Sequence, residues 1–256
     1  MAAIDARHTM EFDQNMTGTL YGIGLGPGDP ELMTLKAHRL ISSARVIAYP
    51  APDSGSSFAR SIAASVIPVG VREIPIVVPM RVDRFPAQEI YDAASIEIAE
   101  TLESGDNVVT LCEGDPFFYG SFMYLYERLS GRFPCEVVPG VTSLTACAAQ
   151  LQRPLTARTD VMTVVPGPLD DTEIQQKIEA AQAVAIMKVG RHLGRLKRLL
   201  EAMGLLDKAG YVERASLPEQ KVMRLSQVAG ETAPYFSMIL IYKGEEAWTL
   251  PPSYSS

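Results

Sequence analysis

Gly22-Ile-Gly-Leu-Gly-Pro-Gly28 places four glycines in seven residues at the end of an apolar segment. Glycine lets backbone N–H groups come close to a ligand, so the run could seat a nucleotide-like molecule. A dinucleotide fingerprint needs glycines at i, i+2 and i+5, followed about 20 residues later by an acid for the ribose. The i+5 residue is Pro27 counted from Gly22 and Asp29 counted from Gly24, and Ala44 to Pro50 holds no acid. No Gly-Lys-Ser/Thr follows to make a phosphate loop. Two further turns of the same kind occur, Cys112-Glu-Gly-Asp-Pro-Phe-Phe-Tyr-Gly-Ser121 and Val138-Pro-Gly-Val-Thr-Ser143, each after an apolar strand. Ligands of open α/β sheets sit beyond the carboxyl ends of strands, so three such turns can converge on one ligand.

The elements that carry these turns read as alternating strands and helices. Strands are predicted at 19–25, 45–49, 74–78, 108–112 and 136–138, and a second set at 162–165, 184–189, 210–214 and 237–242. Asp29 as N-cap, Pro30 and Glu31 predict a helix running to about Ser43. Further helices are predicted at 59–64, 89–104, 141–150, 171–181 and 192–203. The apolar strand Val108–Cys112 suits a parallel sheet covered on both faces. The expected fold class is α/β with two α/β domains: a leader over 1–18, an N-terminal domain over 19–138 and a C-terminal domain over 139–256.

A net charge of -7 leaves no broad positive field for nucleic acid, and no apolar run reaches the roughly 18 residues that cross a bilayer. The first 18 residues lack the apolar stretch of a secretory signal, which points to a cytoplasmic protein. Cys112, Cys135 and Cys147 form neither a disulfide framework nor a zinc pattern, so no metal is expected.

Taken together the motifs resemble those of the tetrapyrrole S-adenosylmethionine methyltransferases. The resemblance rests on Gly24-Leu-Gly-Pro-Gly-Asp29 with Leu32-Met-Thr34, on Gly114-Asp-Pro-Phe-Phe-Tyr-Gly120, and on Pro139-Gly-Val-Thr-Ser143, in that order, and covers about residues 18 to 244. It implies the tetrapyrrole methylase fold, a homodimer, and S-adenosylmethionine as methyl donor in a cleft between the two domains. Carried over by position, the donor contacts are Pro27, Glu113, Gly114, Asp115, Phe118, Thr142, Ser143, Val189 and Ala215. The runs Leu111 to Leu125 and Val46 to Pro50 are most similar to the branch that methylates C20 of precorrin-2. Alternatives are the cobalt complex of the same ring and a non-catalytic S-adenosylmethionine-binding protein.

Methyl transfer from a sulfonium to an electron-rich ring carbon depends mainly on holding donor and acceptor in line. A proton must then leave, and the residue that accepts it is unknown from the sequence. The implied acceptor carries eight carboxylates, so a chain of net charge -7 needs local cations. Arg60, Arg72, Arg81, Arg84, Arg153 and Arg158 are candidates, with Tyr49 and Tyr119 able to stack on rings. From these, Tyr49, Arg60, Arg81, Arg84 and Tyr119 form the expected substrate set. His8, His38 and His192 suit surface or helix positions.

Overall fold

The computed structural model describes residues 17–78, 85–248 and 250. The chain divides into two compact units, one drawn from Met1–Leu25 and Met33–Gly140, the other from Gly26–Leu32 and Val141–Ser256. A linear division after Val138 leaves residues 26–32 in the N-terminal half, whereas their contacts belong to the second unit.

The first unit runs β1 (Leu20–Gly24), α1 (Leu35–Ser42), β2 (Val46–Ala51), α2 (Phe58–Ile62), β3 (Arg72–Val77), α3 (Phe85–Glu103), β4 (Val108–Cys112), α4 (Phe122–Leu129) and β5 (Cys135–Val138). Its strands form one sheet in the order β3-β2-β4-β1-β5, every pairing parallel. Side chains alternate across it. Leu20, Val46, Val108 and Cys112 pack with α3 and α4, whereas Ile23, Ile47, Val109 and Leu111 pack with α1 and α2. With helices on both faces, all five residues of β4 are buried. Pro75 interrupts β3 harmlessly, because β3 is an edge strand. The Phe122 ring lies where a Cβ at Gly22 would stand, 2.4 Å from its Cε1, so this glycine admits α4 rather than a ligand.

The second unit contains α5 (Ser143–Gln150), β6 (Met162–Pro166), α6 (Asp171–Glu179), β7 (Ala183–Met187), α7 (Leu193–Ala202), β8 (Ala209–Glu213), β9 (Lys221–Arg224) and β10 (Ser237–Tyr242). The sheet order is β6-β7-β10-β8-β9, with β6 and β7 parallel and the other pairs antiparallel. Helices α6 and α7 cover one face, and α5 packs with Ala185, Val212, Met238 and Leu240 on the other.

Three local readings change. The helix expected from Asp29 starts later: Pro30–Leu32 is a 3-10 turn, and Thr34 caps α1 by accepting from the N–H of Ala37. Helix α4 escapes the sequence reading although Phe122, Leu125 and Leu129 have helical spacing, because Ser121 makes no side-chain cap. Strand β9 is also missed, being four residues of mixed polarity. Among the described residues, no helix is long and apolar enough to cross a membrane, and no group of three or more His, Cys, Asp or Glu side chains could hold a metal.

Candidate functional site

Strands β4, β1 and β5 are neighbours, so their carboxyl ends lie side by side, and the three turns that leave them touch. A Cβ on Gly140 would lie 2.0 Å from the Gly114 carbonyl oxygen and 2.8 Å from the Gly24 Cα. A Cβ on Gly24 would lie 2.4 Å from the Gly140 nitrogen. Gly114 itself adopts φ +64, a left-handed conformation suited to glycine. Asp115 ties the turns together. Its Oδ2 accepts from the N–H of Gly140 at 3.0 Å and its Oδ1 from the N–H of Phe117 at 2.9 Å. Both carboxylate oxygens are therefore engaged by backbone, and Asp115 acts as a strut. Phe118 and Tyr119 follow, ring to ring at 5.3 Å, and Tyr119 is held at φ 56.

Glu113, the residue between β4 and Gly114, is partly exposed and makes no ion pair among the described residues. Burial pushes its carboxyl above the usual glutamate value, opposed by backbone N–H groups of its own residue and of Ala59.

The chain passes from the first unit to the second at Leu25–Gly26 and at Gly140–Val141, both inside these turns. In the second unit the Gly26–Leu32 segment meets the loop after β8. The N–H of Asp29 donates to Ser216 Oγ at 3.1 Å, and a Cβ on Gly28 would lie 2.6 Å from Leu217 Cδ2. That loop holds Arg214 at φ 50 and Ser216 at φ 68. The Ser216 N–H donates to Gln220 Oε1 at 2.7 Å, and Gln220 donates to Gln150 Oε1 at 2.8 Å. Beneath it the buried Glu213 accepts from Tyr211 Oη at 2.6 Å and pairs with Lys221 at 2.8 Å.

Pro27 is partly exposed within its turn, and Thr142 caps α5 by accepting from the Thr145 N–H at 3.4 Å, with Ser143 opening the helix. Val189 and Ala215 are placed differently. Val189 is 0% exposed in the α6–α7 core and Ala215 packs against the α5 face, so their side chains serve packing and only backbone is left for a ligand.

Tyr49 and Arg60 are brought together by a residue the sequence reading did not single out. Arg60 grips Glu73 through Nε and Nη2, both at 2.7 Å, and Tyr49 donates to the same carboxylate at 2.6 Å. Arg60, then Tyr49, hold the Glu73 carboxyl down at about 2 from a usual 4.5. Glu73 lies in no motif, and only the pairing of β2 with β3 reveals it. A carboxyl with a lowered folded-state pKa stabilises above its unfolded value and loses that contribution as pH falls towards 2. The pair is partly solvated, so the contribution is about 1 kcal/mol. Glu73→Gln is therefore expected to lower the melting temperature by about 2–4 °C at pH 7 and by less at pH 3, as thermal melts at both pH values would read.

The other proposed cations are mostly engaged. Arg72 pairs with Glu97 at 2.9 Å and Arg158 with Glu246 at 3.0 Å. Arg153 is buried and donates to the carbonyls of Lys208 and Leu240, which removes it from any substrate surface. Tyr119 is exposed, and Arg81 and Arg84 lie outside the described residues.

At the turns of the first unit Glu113 offers a carboxyl without a basic partner among the described residues, and Gly24, Gly114 and Gly140 put no side chain in the way.

Residues 19–229 match the family model for Tetrapyrrole (Corrin/Porphyrin) Methylases. The chain is 38% identical over 232 residues to a precorrin-2 C(20)-methyltransferase of Sinorhizobium sp, covering 88% of this chain and 95% of the relative. It is 30% identical to a cobalt-precorrin-2 C(20)-methyltransferase of Salmonella typhimurium, over 89% of this chain and 98% of the relative. Among solved structures, a uroporphyrin-III C-methyl transferase from Thermus thermophilus complexed with S-adenyl homocysteine is similar at TM-score 0.62 and 26% identity, over 88% of this chain and 92% of that one. With its parallel sheet, its touching glycine turns and these likenesses, the chain belongs to the tetrapyrrole methylase family.

Proposed function

We propose that this protein transfers a methyl group from S-adenosylmethionine to C20 of precorrin-2, giving precorrin-3A, in cobalamin biosynthesis. The observation that carries the reading is the 38% identity to a precorrin-2 C(20)-methyltransferase across 95% of that enzyme. When bound, the donor supplies an activated methyl group on a sulfonium. The chain supplies position. By the resemblance, Gly114, Phe118, Thr142 and Ser143 would hold the donor, and transfer would need its methyl group and the ring carbon in line at about 3–3.5 Å. By the same resemblance the protein works as a homodimer, which sedimentation of the purified chain would check.

Incubation with methyl-labelled S-adenosylmethionine and precorrin-2, with and without cobalt, tests the reading. The expected result is one label per ring, located at C20 by NMR, with faster turnover of the metal-free ring. A label at another carbon overturns the position. The likeness to the cobalt-precorrin-2 enzyme favours a second reading, and faster methylation of the cobalt complex would establish it. NAD and ATP should show no binding by calorimetry.

A further inference from the structure

We propose that one edge of the second sheet, with Lys188, Arg191 and Arg214 around the exposed rings of Tyr235 and Phe236, binds the carboxylates and the flat face of the tetrapyrrole acceptor. The proposal rests on the methyltransferase reading above and names the residues that meet the acceptor's negative charge.

The sheet topology assembles this edge. Strands β7 and β8 each pair antiparallel with β10, so both leave the sheet on the side where β10 enters it. Met187 stands opposite Met238 and Glu213 opposite Ser237, so the residues just beyond them flank the segment that leads into β10. Backbone bonds fasten that segment on both sides. The Ala233 N–H donates to the Gly190 carbonyl at 2.9 Å, and the Arg214 N–H to the Phe236 carbonyl at 2.8 Å. Strands β7 and β8 lie two strand spacings apart, roughly 10 Å, so cations beyond their ends straddle the two rings. Lys188 at φ 56 and Arg214 at φ 50 both hold left-handed backbone, which non-glycine residues adopt rarely and mostly where function demands it.

Charge singles the edge out. In a chain of net charge -7, residues 188–198 carry five lysines and arginines and no acid. Three of them are committed: Arg195 to Asp171, Arg198 to Glu231 and Lys197 to the Val228 carbonyl. Among the described arginines, all but Arg39, Arg191 and Arg214 donate to a carboxylate or a carbonyl. Two of those three stand at this edge. Arg191 is exposed and engages only its Nε, on His192 Nε2 at 3.4 Å, which leaves the two terminal nitrogens for a carboxylate. Arg214 is half-buried, and the acid beside it, Glu213, already pairs with Lys221 at 2.8 Å. In the first unit, by contrast, Arg60 is gripped by Glu73.

The rings complete the fit. Tyr235 is 63% exposed and Phe236 42%, edge to face with centroids 5.0 Å apart. Covering them with a flat conjugated surface removes apolar area from water, while a guanidinium takes a carboxylate through two parallel N–H bonds. Three cations around two rings are too few for a nucleic-acid backbone and suit a small polycarboxylate with a flat face of its own.

The test uses the full chain and whichever of precorrin-2 or its cobalt complex the wild type methylates. Uroporphyrin III, a stable ring with eight carboxylates, serves as a binding probe read by fluorescence. Arg191→Gln with Arg214→Gln should raise KM for the ring and weaken probe binding by about 30-fold or more. In the same variant kcat should stay within about threefold, and S-adenosylhomocysteine affinity by calorimetry within about twofold. Arg191→Lys with Arg214→Lys should recover part of the loss, because the charge remains but the two-pronged bond does not. Tyr235→Ala should raise KM by about fivefold. Arg39→Gln with Lys177→Gln removes the same charge from the last turns of α1 and α6 and should leave both readouts unchanged. An unchanged KM in the edge variant, or an equal rise in that control, overturns the proposal. A matching loss of S-adenosylhomocysteine binding overturns it too, making the edge a donor site, as does a wild-type dimer that the edge variant dissociates. A wild type that methylates the ring beside an unaltered edge variant removes this proposal alone. A wild type that binds the probe through the edge yet methylates neither ring upholds the edge and removes the functional reading.

Discussion

Gly140→Ala is expected to abolish detectable S-adenosylhomocysteine binding, a loss of more than about 100-fold in affinity, and to lower the melting temperature. A Cβ there would stand 2.0 Å from the Gly114 carbonyl oxygen and 2.8 Å from the Gly24 Cα. These are backbone atoms, so no side chain can swing aside. The turns after β4, β1 and β5 must part, and the hydrogen bond from the Gly140 N–H to Asp115 is lost with them. Overpacking of this kind costs about 1–3 kcal/mol or more. Far-ultraviolet circular dichroism should keep its α/β shape, because the strands themselves are untouched. Calorimetry on the folded variant is the decisive measurement. Normal affinity would mean that the closeness of the turns serves the fold and not the ligand.

Arg153→Ala is expected to destabilise the protein by about 3 kcal/mol, through two charge-assisted hydrogen bonds lost in a buried place. Arg153 is 6% exposed, with Nη1 on the Lys208 carbonyl at 2.9 Å and Nη2 on the Leu240 carbonyl at 2.8 Å. Removing it strands both acceptors and opens a void beside β10. Urea unfolding would read the change as a lower midpoint, and the melting temperature should fall by about 6–12 °C. Arg153→Lys should lie between, since one ammonium cannot span two carbonyls that a guanidinium fork reaches together. Donor affinity measured below the transition should stay at the wild-type value. A variant of unchanged stability that binds the tetrapyrrole poorly would return Arg153 to the substrate surface.

How far the sequence carries depends on the range of the interaction. The three turns were legible because glycine frees and proline fixes the backbone locally, and their order along the chain matches the order in which strands end. Buried strands such as Val108–Cys112 announced themselves by composition. Capping at Thr34 instead of Asp29 was harder, because both residues make local side-chain bonds and only the packing of Ala37 and Ile41 selects the later start. The role of Arg153 was not legible at all. Its partners lie 55 and 87 residues away, and nothing beside it in the chain distinguishes a buried strut from a surface cation. The same holds for Glu73, whose partners come from another strand and helix.

The parallel order β4-β1-β5 sets a timetable on the ribosome. Thr19 bonds to Asn107, 88 residues later, and at 5–20 residues per second that partner emerges roughly 4 to 18 seconds after it. Until then Leu20, Ile23 and Leu25, all fully buried in the finished protein, have no ladder to join. The Gly26–Leu32 segment waits longer still, because Ser216, to which Asp29 donates, is made 187 residues after it. The nascent protein therefore carries an unpaired apolar strand until β4 has been made, an interval in which such an edge is open to aggregation.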